Sequence, residues 1–127
     1  MLEQNVFKVP EQVKVTGVIY KVIESAFVES DNDKNCLGSC DYTTSTIELL
    51  ETLSDSKKEQ IFVHELTHAI FHEAGFECAD EDMVNRIAIV LHQVLKDNWK
   101  ADITEEVIMT YGGEEIARNV HVTSSQL

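Results

Sequence analysis

The chain has 127 residues, with 23 Asp and Glu against 10 Lys and Arg and a formal charge of −13. That length fits one domain with one core, and 43% hydrophobic residues exclude wholesale disorder. The acid excess speaks against a nucleic-acid surface, which needs a clustered basic footprint. It suits solubility, or attraction of a basic partner or of cations.

No apolar run approaches the ~20 residues of a membrane span. The start, MLEQNVFKVPEQ, has no basic stretch followed by an apolar one, so no secretion signal is expected. A cytoplasmic protein without a membrane is the expectation, and there Cys36, Cys40 and Cys78 are free thiols.

In chain order, Val13 to Val28 is rich in Val and Ile and reads as strand, bent at Gly17. Asp31 to Asn35 is a polar turn or loop. Cys40 to Glu51 is β-branched and reads as a second strand, antiparallel to the first. Ser56 and Glu59 have the spacing of a capping box, so a helix starts between Ser54 and Lys58. It runs to Ala74, with Gly75 as its stop. Phe62, Leu66, Ala69 and Ile70 make one apolar face, and Ile61 and Phe71 lie on the other side beside histidines, so this helix is buried. Asp80 caps a second helix reaching about Asn98, with Val84, Ile87, Ala88, Leu91, Val94 and Leu95 as its stripe. Thr104, Glu105 and Glu106 suggest a short helix through Met109, broken by Gly112 and Gly113, and the last residues, VTSSQL, should fray. The whole is α+β in a single domain: strands over 1–53, a helix pair over 55–98 and an extension over 99–127. The sheet is small, antiparallel or mixed, and packs on two antiparallel core helices.

His64-Glu65-Leu66-Thr67-His68 is the segment that carries chemistry. Residues four apart on a helix share a face, about 5–6 Å between β-carbons. Two imidazoles so placed can converge on one Zn²⁺. Glu65, displaced around the helix, is positioned as a general base toward water rather than as a ligand. The plainer alternative is a helix with two packing or surface histidines.

A catalytic zinc needs a third protein ligand. His72 continues the series, but His64 and His72 lie about 12 Å apart along a straight axis. His72 is therefore a neighbour of the site or a surface residue. On the second helix, Glu81 shares the inward stripe with Val84, Ala88 and Leu91, while Asp82 shares the outward side with Arg86, Ile89 and Gln93. The short turn from Gly75 to Asp80 makes an antiparallel hairpin, which brings Glu81 toward His68. The plainer reading of Glu81 is an acid at a helix N-terminus. Cys78 in that turn is a further thiol donor. Cys36 and Cys40 with His64 and His68 would make a rival structural site. His92 and His121 read as ordinary polar residues.

HELTHAIFHEAGF followed by EDMVNRIA resembles the short zincin domains of the ImmA/IrrE type, found in bacteria, phages and mobile elements. Those domains carry H-E-x-x-H on one helix and a glutamate in an E-x-x-x-N-x-x-A setting on the next. Glu81, Asn85 and Ala88 match that setting. The resemblance covers roughly Leu37 to Asn98 and has no counterpart for the C-terminal segment. It implies a small twisted sheet ahead of the helices, with Glu81 as third zinc ligand. It also implies a zinc metallopeptidase acting on a protein or peptide. Such chemistry gains from a donor to the oxyanion, and His72 or Tyr111 is the candidate for that role. The strand around Ile47 to Leu50 would then offer an edge to an extended substrate. A zinc-containing regulatory module that binds a protein without cleaving it is the alternative of another class. The sequence sets neither the substrate nor the oligomeric state.

Overall fold

The computed structural model describes residues 7–29, 36–77 and 80–98 with their side chains, and the backbone of 100–101, 107–111, 114–120 and 122–123. In chain order the elements are β1 (Gln12–Val15), β2 (Val18–Ser25), β3 (Gly38–Asp41), β4 (Thr46–Leu50), α1 (Asp55–Glu73), α2 (Glu81–Asn98), β5 (Lys100–Ala101), β6 (Val107–Tyr111), β7 (Glu114–Val120) and β8 (Val122–Thr123). The fold is α+β: a mixed sheet formed by β1 to β4, extended by β7 and β6 to the order β3-β4-β2-β1-β7-β6, with two helices packed together. The strands β5 and β8 pair separately. Among the described residues, no helix is long and apolar enough to cross a membrane.

The Val- and Ile-rich stretch is not one bent strand but a hairpin. Thr16 and Gly17 both have positive φ, 49° and 93°, the backbone that a two-residue hairpin turn requires. The register Val15↔Val18 and Val13↔Tyr20 follows. Alternation then sends Val13, Val15 and Tyr20 to the helix-covered face and leaves Ile19 and Ile23 exposed.

The second stretch likewise splits, into β3 and β4, joined by an Asp41-capped turn whose Thr43 and Thr44 amides donate to Asp41 Oδ1 at 2.9 and 3.3 Å. Its pairing differs from the sequence expectation: β4 runs parallel to β2, from Lys21↔Thr46 to Ser25↔Leu50. The reason is topological. The chain leaves β2, runs along the sheet edge as β3 and turns back into the slot between β3 and β2. Ile47 to Leu50 is thus an interior strand, and the edge beside the helices is β3, not β4.

The C-terminal segment departs as well. Val107–Tyr111 is a strand rather than the end of a helix, because this β-branched, aromatic run gains a partner in β7, which itself pairs with β1. Val122–Thr123 pairs with Lys100–Ala101 where fraying was expected. The sequence readings on residues 31–35, 102–106, 112–113 and 124–127, and on Cys78 and His121, lie outside the described residues.

The core sits between sheet and helices. Val13, Val15, Tyr20, Ile47 and Leu49 meet Phe62, Val63, Leu66 and Ala69 of α1, with Ala88 and Leu95 of α2 behind. Phe7 closes one end, its ring 5.9 Å from that of Phe62. Of the expected α2 stripe, Val84, Ala88 and Leu95 are buried, while Ile87 and Val94 are exposed.

A candidate metal centre between two helices

Capping at both ends fixes the placement of α1. Ser54, not Ser56, is the N-cap, and its side chain accepts from the Lys57 amide at 3.3 Å. Glu59 is therefore free of the capping role and serves elsewhere. At the far end Gly75 has φ +98°. Its amide donates to His72 O, and the Phe76 amide donates to Phe71 O, both at 3.0 Å. With the Phe71 and Phe76 rings 5.5 Å apart, this is the Schellman ending with its hydrophobic contact. Asp80 then caps α2, its Oδ1 accepting from the Asp82 amide at 2.9 Å. Glu81 is thereby the first residue of α2.

His64 and His68, one turn apart on α1, have ring centroids 5.0 Å apart in an edge-to-face arrangement. Glu81 spans them. Its Oε1 lies 2.8 Å from His64 Nε2 and its Oε2 3.2 Å from His68 Nε2. Among the described residues these three form the group whose donor atoms lie within 4.8 Å of one another. Donors each about 2.0–2.1 Å from a tetrahedral ion are about 3.3 Å apart. The two histidine–carboxylate separations are close to that, so these three residues could hold a metal ion. Burial, opposed in part by Glu81, holds the His68 pKa below its ordinary value, which favours the neutral imidazole that a metal needs. Glu81 itself is exposed, with its side chain 67% accessible, so the helical phase that selected it leads to the mouth of the site rather than to the core. Asp82 points outward and pairs with Arg86 at 3.1 Å.

Glu65 lies deeper, 8% exposed, on the side of α1 that faces β3. Burial, reinforced by the charge of Glu81, pushes its carboxyl up to about 7. That value suits a group that must take and return a proton near neutrality. Gly38 of β3 makes this approach possible. A β-carbon there would stand 2.5 Å from Ile61 Cγ2, 3.2 Å from Glu48 O and 3.3 Å from Glu65 Cγ. Gly38→Ala is therefore expected to destabilise the protein by about 1–3 kcal/mol through overpacking, read as a lower urea midpoint. An unchanged midpoint would show that β3 and α1 are not in this contact.

The remaining candidates separate clearly. His72 is exposed, outside the three-donor group, and stacks on Tyr42 at 4.0 Å with the rings 4° from parallel. Cys36 and Cys40 do not join the donor group, and burial first, then the charges of Glu65, Asp41 and Glu73, push the Cys40 thiol up to about 12. Tyr111 falls in β6, its side chain outside the described residues. His92 is not an isolated polar residue. Glu59 Oε1, 8% exposed by residue, hydrogen-bonds His92 Nε2 at 3.1 Å and accepts from Lys96 Nζ at 2.9 Å. This pins the C-terminal half of α2 to the start of α1, and with the Glu81 contacts it makes the pair antiparallel.

Sequence reasoning did not single out Tyr42. It sits in the turn between β3 and β4, where nothing in spacing marks it. Its ring lies over His72, one turn beyond His68. Burial, then the nearby charges of Cys40, Glu65 and Glu81, push its phenol up to about 12, so it keeps its proton. No family model, no curated protein and no solved structure matches the chain.

Proposed function

We propose that this chain is a zinc-dependent metallopeptidase that hydrolyses a peptide bond, of the kind its sequence resembles in the ImmA/IrrE-type zincins. The observation that carries the reading is the convergence of His64 Nε2, His68 Nε2 and both Glu81 oxygens beside a buried Glu65. His64, His68 and Glu81 would hold the ion. Bound there, Zn²⁺ supplies Lewis acidity, lowering the pKa of a water toward ~7 and polarising a carbonyl oxygen. Glu65 accepts the proton of the attacking water and returns it to the departing amine. Tyr42, braced by His72 and still protonated, offers its O–H to the carbonyl oxygen as that atom gains charge.

Native mass spectrometry after zinc loading tests the metal. One ion per chain is expected, and a protein that stays zinc-free at micromolar excess refutes the reading. Tyr42→Phe keeps the stack and removes only the donor. It should retain zinc and lower kcat by up to roughly 10²-fold with KM little changed; parental kcat would remove Tyr42 from the mechanism.

A further inference from the structure

A groove of roughly 570 Å³ opens from His64 and Glu65 and runs between the two helices toward the start of α1. Its apolar surface comes from Leu37 ahead of β3, Ile61 of α1, and Ala88 and Ile89 of α2. Leu37 and Ile89 are large exposed side chains, the latter 67% accessible. Lys57 lines the far end. Lys58 is paired with Glu24, Lys96 with Glu59 and Arg86 with Asp82. Among the described residues, Lys57 has no carboxylate partner. His92, also on the groove, is already engaged by Glu59. In a chain of formal charge −13, this groove thus ends on an unmatched ammonium.

The spacing has a scale. Lys57 and His64 are seven residues apart on one stripe of α1, about 10 Å along the axis. An extended peptide advances about 3.3 Å per residue, so Lys57 stands about three residues from the metal-binding histidines. We propose that the groove takes the extended segment on one side of the scissile bond. An apolar side chain rests on Leu37, Ile61 and Ile89, and an acidic side chain, about three residues from the bond, pairs with Lys57. This rests on the peptidase reading for the bond that is cut, but peptide binding can be measured without cleavage.

The test uses the full chain carrying Glu65→Gln, loaded with zinc, and fluorescent heptapeptides. Each peptide holds one apolar residue, one Glu and one Lys, permuted so that net charge is constant and the field of the whole protein cancels. Anisotropy at about 0.15 M salt should show Glu preferred over Lys at one position by about 3–5-fold, the worth of an exposed ion pair. Lys57→Glu should invert that preference. Lys58→Glu, which alters an already paired neighbour, should not. An unchanged preference in Lys57→Glu, or no peptide binding at all, overturns the proposal. Peptides that bind with this preference but are never cut by the parent protein would sink the peptidase reading alone. Cleavage indifferent to charge at every position would sink the groove assignment alone.

Discussion

Glu65→Gln is expected to bind zinc like the parent protein and to lower hydrolysis roughly 10²–10⁴-fold, the range of a lost general base. The carboxamide nearly matches the carboxylate in volume, so packing against Gly38 survives. His64, His68 and Glu81, which would hold the ion, are untouched. Only proton transfer is removed. Single-turnover hydrolysis of a peptide cut by the parent protein, alongside zinc analysis of the same sample, separates the two properties. Parental turnover with zinc retained would mean that Glu65 is not the base. Zinc lost together with activity would mean that the substitution disturbs the ligands.

The second large effect is on stability and needs no substrate. In the metal-free protein the Glu65 pKa rises from 4.5 to about 7 on folding. A carboxyl with a raised folded pKa stabilises the fold fully below its unfolded value and loses that contribution as pH climbs through the folded one. Stability should therefore fall between pH 4.5 and about 7. The shift corresponds to about 3 kcal/mol, because one pKa unit is about 1.4 kcal/mol. Gln cannot titrate, so urea midpoints of metal-free parent and Glu65→Gln protein should diverge across that window and run parallel above it. His68 works the other way. Its pKa is lowered, so its contribution is present above its ordinary value of 6.5 and is lost as pH falls through the folded value. Both proteins share that slope, and the difference between them isolates Glu65. Midpoints that stay parallel from pH 4 to 8 would contradict the burial of a neutral carboxyl.

Much of the helix pair was legible in the sequence because its determinants are local. Gly75 stops α1 by its own backbone preference, and the four-residue spacing of His64 and His68 places both on one turn whatever surrounds them. Helical phase and a short turn sufficed to prefer Glu81 over Asp82. The N-cap was misplaced by two residues because Ser54 and Ser56 both suit the role, and only the long-range pairing of Glu59 with His92 and Lys96 decides between them. The sheet was less legible. Ile47 and Leu49 alternate identically in a parallel or an antiparallel neighbour, so the pattern fixes their face and not the direction of β2. Thr16 at positive φ is an uncommon hairpin residue, which hid the break between β1 and β2. Val107–Tyr111 followed a run that looked like a helix start, and its strand partner lies downstream in β7. Tyr42 was invisible because its contact is with His72, 30 positions along the chain.

The clamp of Glu59 on His92 and Lys96 has a bearing on the three donors at the other end of α2. It sits far from Glu81 along α2, yet it sets where that helix lies along its neighbour. A rod anchored at its distal end keeps its tip in place. A substitution at Glu59 should therefore shift Glu81 against His64 and His68, although Glu59 contacts none of the three.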